Sequence, residues 1–457
     1  MNATNPPKKL WETSPTLDPL VERYTVGDDP DNDLQLLPYE VYGTLGHAAG
    51  LCRIGVLSAA EFLAVRKTLN DLLFHVPDFK IERHQEDIHT AVEQYLTAKL
   101  GDVGAKIHAG RSRNDQVQVD VRLFLKERIL RIHGLACETA RSWTSFGKKH
   151  GEVLVPGYTH LQRAMPTTVG HWAASHAEGL LENARLLRSV YVEADSSPLG
   201  SGAGYGASLP LDREFVSQAL GFARVQRNTL RVQTSRPRLE AAVLSTLAIL
   251  ARDIGVLAED LCLYSTAEFG FFALDENFTT GSSIMPQKRN PDVVELTRAR
   301  AALFPGWLQQ ALAVGALSSG YHRDYQLTKG PLFDGIRTAI DMLEMVERMP
   351  RSLSVNAARC KAAVTEDLMS TQKALELVER GVPFREAYRR VAEKARSANP
   401  KPASKVALPD YEGAPGNPGF APLAADHALE AEWSRAEYQK LGTVWRRLLK
   451  LDPPATV

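Results

Sequence analysis

The residues best suited to chemistry lie in one string, Thr279-Thr280-Gly281-Ser282-Ser283-Ile284-Met285-Pro286-Gln287-Lys288-Arg289-Asn290-Pro291. Gly281 opens backbone angles closed to other residues, so the string can form a mobile loop. It carries one potential nucleophile or base, Ser282, one fixed cation, Lys288, and the amides of Gln287 and Asn290. Pro291 suits the first turn of a helix running on from Asp292. Such a loop fits an anionic substrate whose negative charge grows during reaction. Read plainly, it is a polar connection between two helices.

Three more clusters carry chemistry. Gly110-Arg111-Ser112-Arg113-Asn114-Asp115-Gln116 heads the longest helical stretch. Helix N-terminal amides with two arginines, a serine and an asparagine make a carboxylate site, or simply a cap with surface charge. Val155-Pro156-Gly157-Tyr158-Thr159-His160-Leu161-Gln162 is a turn that sets His160 beside Thr159, an acid/base candidate where a lone histidine is otherwise structural. Tyr321-His322-Arg323-Asp324-Tyr325-Gln326 with Lys329 is a polar interhelical segment.

The elements that must hold these clusters are helical. The first 37 residues read as irregular, with Asp28, Asp29, Asp31 and Asp33 around Pro30. From Pro38, Val41, Leu45 and Ala48 share a face. A second helix is expected from the cap Ser58 to about Phe74, and another opens at Glu86-Asp87-Ile88-His89. Arg113 to His150 contains no proline and keeps Val121, Leu125, Ile129, Ile132 and Ala136 at near-helical spacing. At ~1.5 Å per residue this element is about 57 Å long. Further long helices are expected over 167–195, 239–268, from Pro291, and over 334–348. A shorter pair over 366–398 is followed by a Pro/Gly-rich loop, 399–422, and a last helix near 427–450. No sustained alternating strand pattern or internal repeat appears. Helices this long suggest a bundle whose remaining apolar surface is buried against other subunits. The expected division is an N-terminal helical domain, 1–112, a central long-helix domain, 113–361, and a C-terminal helical domain, 362–457.

Composition removes several function classes. Fifty-four basic and fifty-four acidic side chains give zero formal charge, so nothing asks for nucleic acid or an anionic membrane. No uninterrupted apolar run reaches the ~18 residues of a membrane span, and Met1 to Leu10 does not read as a signal peptide. Cys52, Cys137, Cys262 and Cys360 are far apart, which suits buried thiols in a reducing cytoplasm. Gly200-Ser201-Gly202-Ala203-Gly204-Tyr205-Gly206 is glycine-rich, but no strand pattern precedes it, so a nucleotide cradle is not expected.

Together and in this order, the four clusters resemble the active-site regions of the fumarase/aspartase superfamily, and the Met285-Pro286-Gln287-Lys288 form is similar to its argininosuccinate lyase branch. Glu86-Asp87-Ile88-His89, Pro198-Leu199-Gly200-Ser201-Gly202 and Pro383-Phe384-Arg385-Glu386-Ala387 extend the likeness over about 35–398. The resemblance implies an all-α, three-domain subunit with a long central bundle. It also implies a cytoplasmic homotetramer whose active sites are each built from three subunits, and no metal or organic cofactor. The implied reaction is a reversible anti elimination of fumarate from an N-substituted L-aspartate, most simply argininosuccinate. Ser282 would be the general base. Lys288 and Asn290, with Gln287 beside them, would hold the succinyl carboxylate; Ser112, Arg113, Asn114 and Thr159 would also bind the succinyl part. His160 would protonate the departing nitrogen or polarise its surroundings. Tyr321, Gln326 and Lys329 would meet the amine side, with His89 supporting the binding residues from behind. A fumarase/aspartase fold also serves as a non-catalytic crystallin; retention of Ser282, Lys288, Asn290, His160 and Arg113 argues against that role.

The departures from the family pattern fall on the amine side. Glu12-Thr13-Ser14-Pro15 stands where Gly-Gly-Arg-Phe is usual. Asp29 replaces a serine four residues before the substrate-binding Asp33, where it would repel an α-carboxylate by ~1 kcal/mol. Ser235-Arg236-Pro237-Arg238 retains only Arg236 of Asp-Arg-Asp-Phe, and Leu327-Thr328-Lys329-Gly330 replaces Glu-Asp-Lys-Glu. These changes point to a related lyase for another N-substituted aspartate as the competing assignment.

Overall fold

The computed structural model describes residues 18–74, 76–396 and 401–456. Glu12-Thr13-Ser14-Pro15 lies outside the described residues. The segment expected to be irregular is largely helical: α1 (Pro19–Val26), α2 (Asp29–Asp33) and a 3-10 turn. The Asp18 side chain accepts from the Leu20 and Val21 amides, and Pro19 sits in the first turn of α1. Two helices this short show no hydrophobic period, so only their caps could have marked them.

The next helices are α3 (Leu37–Arg53), α4 (Ala59–Leu73), α5 (Ile88–Leu100) and α6 (Asp102–Ala105). Ser58 and Glu61 form a reciprocal capping box for α4. Then comes α7 (Arg113–Lys149), 37 residues long, or about 55 Å at ~1.5 Å per residue. Between Asp115 and Lys126 every residue of α7 is buried. A helix covered on all faces is a bundle centre.

After α7 the chain reverses through an antiparallel hairpin, β1 (Leu154–Thr159) and β2 (Gln162–Thr168), into α8 (Val169–Ala194). This hairpin was not expected, because its strands are too short and too mixed to show alternation. Two-residue β3 (Ser196–Ser197) and β4 (Arg224–Val225) pair in parallel, with α9 (Arg213–Leu220) between them. They lead to α10 (Thr229–Thr234) and α11 (Arg238–Tyr264). Residues Thr229–Tyr264 are apolar enough to pass a membrane-span test. The stripe Leu244, Leu247, Ala251, Ile254, Leu257 and Leu261 is buried in the bundle instead.

Next come β5 (Phe272–Leu274), β6 (Thr280–Gly281), β7 (Arg289–Asn290), α12 (Asp292–Ala301), α13 (Phe304–Val314) and α14 (Lys329–Ser352). The last is longer than the 334–348 expected, beginning at Lys329 itself. It runs parallel to α7. Phe333 stacks edge-on against Phe124 near both helix starts, and Trp143 Nε1 donates to Val346 O at 3.1 Å near both ends. The strand β8 (Leu353–Val355) then pairs with β5. The chain finishes with α15 (Ala357–Ala363), α16 (Ser370–Glu379), α17 (Phe384–Arg396) and α18 (Phe420–Leu448). The last begins earlier than expected, because Pro422 falls in its first turn, where a missing amide costs nothing. Cys52, Cys137 and Cys360 are buried thiols; Cys262 is half-buried, and all four are unpaired.

Candidate active site

A cavity of about 190 Å³ opens at the N-terminal end of α7. It brings together Asp29, Asp33, His89, Arg113, Asn114, Arg236, Tyr321, Gln326 and Lys329. Most come from the starts or ends of helices and the segments between them, so the helix lengths set their meeting point. Ser112 caps α7: its hydroxyl accepts from Asn114 N at 3.3 Å, while Asp115 returns a bond to Ser112 N. Asp115 is itself held by the Gly200 and Gly202 amides, both at 2.9 Å. The glycine-rich loop thus cradles a carboxylate of its own chain.

The cationic side chains of Arg113 and Lys329 are already paired. Arg113 donates to Asp87, with Nε at 2.8 Å, and to Glu86 at 3.2 Å. Lys329 Nζ bridges Asp33 at 2.6 Å and Asp29 at 2.9 Å. Burial disfavours charge on that ammonium, yet the two carboxylates outweigh it and raise its pKa. Asp29 gains less: burial is its largest influence, and its carboxyl is pushed up to about 6. Gln326 Nε2 donates to the Thr25 and Val26 carbonyls, and Arg236 donates to Glu240 and to Tyr325 O. Tyr321 and Asn114 keep side chains open to the cavity.

Behind His89 lies a buried cluster absent from the sequence expectations. His89 Nδ1 lies 2.7 Å from Glu40 Oε2 and 3.5 Å from Asp120 Oδ2. Burial opposes an imidazolium there, but Glu40, Asp87 and Asp33 outweigh it and raise the His89 pKa. Burial and the facing Glu40 drive Asp120 well above the carboxylate range. Ligand atoms of Glu40, His89 and Asp120 lie within 4.8 Å of one another. A metal would need an imidazole lone pair, whereas the surrounding carboxylates favour the protonated ring. The cluster therefore suits proton sharing that fixes the His89 ring. One carboxylate beside the apolar stripe of α3 was the available signal for Glu40.

The remaining candidates lie elsewhere. Thr159 and His160 are exposed at the tip of the β1–β2 hairpin, where His160 and Leu161 take φ of 54° and 57°. That geometry is a tight hairpin turn. Tyr158 packs on Tyr264 and Phe269 and fixes the hairpin at the C-terminal end of α7. A full helix length, about 55 Å at ~1.5 Å per residue, therefore separates His160 from Arg113 within one chain. The Ser282 loop is closed by β6 pairing with β7, Thr280 opposite Asn290. Its supporting strand β5 pairs with β8, beyond the end of α14 remote from Lys329. Ser282 is half-buried, and its Oγ accepts from Met285 N at 3.2 Å and Ile284 N at 3.4 Å. Asn290 Nδ2 donates to Gly281 O at 3.3 Å, while Gln287 and Lys288 project into solvent. Neither Ser282 nor His160 lines the cavity at α7.

Comparison with known proteins places this scaffold. A model of the Lyase family matches residues 26–306. The argininosuccinate lyase of Sorangium cellulosum is 43% identical over 423 residues, covering 91% of this chain and 97% of that protein. That of Thermotoga neapolitana is 39% identical, covering 85% and 98%. Among solved structures, EDDS lyase in complex with formate superposes with a TM-score of 0.79 at 23% identity, over 96% of this chain and 95% of that one, a likeness of fold. Identity at this level over nearly the full length of these relatives means that the chain belongs to the argininosuccinate lyase family.

Proposed function

We propose that the chain is a carbon–nitrogen lyase that eliminates fumarate from argininosuccinate and releases arginine. The observation that carries the chemistry is the setting of Ser282. A serine hydroxyl is a poor base, but two backbone N–H groups aimed at its oxygen stabilise the alkoxide, and Lys288 in the same loop adds a cation. Ser282 takes the Cβ proton. The electron pair moves into the neighbouring carboxylate, giving a dianion that Lys288 and Asn290 stabilise. The pair then returns to form the Cα=Cβ bond as the Cα–N bond breaks. His160 either protonates the departing nitrogen or polarises its surroundings. Thr159, Ser112, Arg113 and Asn114 bind the succinyl part with Gln287. Tyr321, Gln326, Lys329, Arg236, Asp33 and Asp29 meet the amine side, with His89 behind them.

The separation of these groups supports a site assembled in a homotetramer. Ile249 and Val256 on α11, and Leu296, Leu303 and Leu312 along the α12–α13 stretch, leave apolar surface exposed, which other subunits would cover. Light scattering at micromolar concentration should give a tetrameric mass; a monomer would refute the assembly. The 1–112, 113–361 and 362–457 division is kept as a proposal, as is a cytoplasmic setting, which the four unpaired thiols support.

One observation favours a second reading. Asp29 and Asp33 already neutralise Lys329, which weakens any hold on an α-carboxylate and suits a different N-substituted aspartate. Following the ultraviolet absorbance of fumarate with argininosuccinate decides between them. Rapid release establishes the first reading. No release moves the assignment to the second, and fumarate offered with a panel of amines would then identify the partner.

A further inference from the structure

A second cavity, about 570 Å³, lies on the other side of the 235–238 segment from the candidate active site. Its walls hold Arg122, Arg224, Arg227, Arg231 and Arg238 against one carboxylate, Glu193. Glu193 meets only Arg238, at 3.5 Å between exposed side chains. The side chains of Arg224 and Arg227 have no hydrogen-bonding or carboxylate partner among the described residues.

Arg122 makes this a built site rather than a basic surface. It stands in the fully buried stretch of α7 and is 5% exposed. Its guanidinium is oriented by three neutral acceptors: Ser196 O, Ser196 Oγ at 2.8 Å and Gln226 Oε1 at 2.6 Å. No carboxylate pairs with it. Burial, joined by Arg224 and Arg236 and opposed by Glu240 and Glu193, pulls its pKa down to about 10. A buried cation whose hydrogen bonds all go to dipoles has room for a contacting anion. The unblocked N-terminus of α11, with no side-chain cap, adds positive potential at Arg238 and Leu239.

The wall also describes the ligand. It contains no aromatic ring, and its apolar members are Val225 and Leu239. Nothing there stacks on a nucleobase. Guanidinium groups in this number match oxyanions through bidentate bonds.

We propose that this cavity binds a small oxyanion carrying two or more negative charges, as phosphate or carboxylate groups, and that its occupancy is transmitted to the substrate pocket. The route is short. Ser235 and Arg238 face the oxyanion cavity, whereas Arg236 between them lines the substrate pocket and holds Glu240, Tyr325 and Thr328. An anion that draws Arg238 inward moves the backbone that sets Arg236.

Calorimetry of the intact protein at fixed ionic strength tests this, with pyrophosphate as the phosphate probe and tricarballylate as the carboxylate probe. The better binder identifies the oxyanion type. Arg224 and Arg231 are exposed and lie outside the substrate pocket, so Arg224→Ala/Arg231→Ala should keep the helical circular dichroism and the basal turnover. Binding should weaken on the order of a hundredfold, tenfold for each lost charge-assisted contact. The better binder should also change KM in the parent protein and not in the double variant; simple competition at the substrate pocket would survive the substitutions. Equal binding by parent and variant, or no binding of either probe, overturns the site. Binding without a variant-sensitive KM change overturns the coupling. If the double variant fails to fold, Arg227→Ala is read in the same way.

Discussion

The two ends of α7 are built to opposite rules. At its N-terminus, Arg113, Lys329, Arg236 and His89 are packed, ion-paired and fixed before any substrate arrives. Beyond its C-terminus, His160 stands on an exposed hairpin tip, and the Ser282 loop leaves from the strand pair past the end of α14. Binding residues need preorganisation, which burial and fixed partners supply. The groups assigned to proton transfer are presented outward, as they must be if another copy's pocket receives them. On the proposed assembly, one chain is a set of complementary parts and a complete site draws on more than one copy.

The largest expected effect comes from the outward-facing part. Ser282→Ala should lower fumarate release by roughly 10³-fold, the scale of a lost proton-transfer group. The exposed loop packs on nothing essential, so helical circular dichroism should not change. Near-normal turnover would remove Ser282 from the base role. The same variant sharpens the comparison when co-refolded with Asn114→Ala, which damages only the pocket end. Each homogeneous variant should be inactive, and the mixture should regain activity, because some sites then combine intact parts from different chains. A mixture as inactive as its components would mean that each site uses one chain.

Breaking the buried end should cost stability instead. Glu40→Ala leaves the His89 ring without its closest carboxylate and strips partners from Thr44 and Gln116. Removing one member of a buried pair typically costs about 3–5 kcal/mol. A lowered unfolding midpoint in urea checks this; an unchanged midpoint would show that the cluster adds nothing to folding.

What the sequence made legible follows the same division. Long apolar stripes such as Val121, Leu125, Ile129 and Ile132 identified α7 and its neighbours, because a buried helix face must repeat. The Ser282 loop and the arginine-headed helix were legible because unusual residue types are crowded together. The β1–β2 hairpin was not, since its strands are short and its turn residues, His160 and Leu161, are not the usual glycine or asparagine. Glu40 and Asp120 were hidden because each is a lone acid among apolar neighbours, and their meeting with His89 is set by tertiary packing alone. The pairing of Asp29 with Lys329 joins residues 300 positions apart. From the sequence alone, Asp29 is a charge that repels a substrate carboxylate; beside Lys329, that repulsion is partly offset.

The smallest effect concerns that residual charge. The Asp29 carboxyl is raised by burial to about 6, against 3.8 for the free side chain. As pH falls through about 6 it takes up a proton, the pocket loses one negative charge, and an anionic substrate should bind more tightly. KM for argininosuccinate should therefore fall on the acid side, by about fivefold if one charge acts at close range in high dielectric, ~1 kcal/mol. The comparison must be made with Asp29→Asn at each pH, so that every other pH effect is common to both proteins. The variant keeps the side-chain shape without the charge, so its KM should already be low at neutral pH and should not fall further. The ratio of the two KM values then isolates Asp29. A ratio that stays constant from neutral to acid pH would mean that Lys329 fully compensates Asp29, and the departure at this position would carry no consequence for substrate charge.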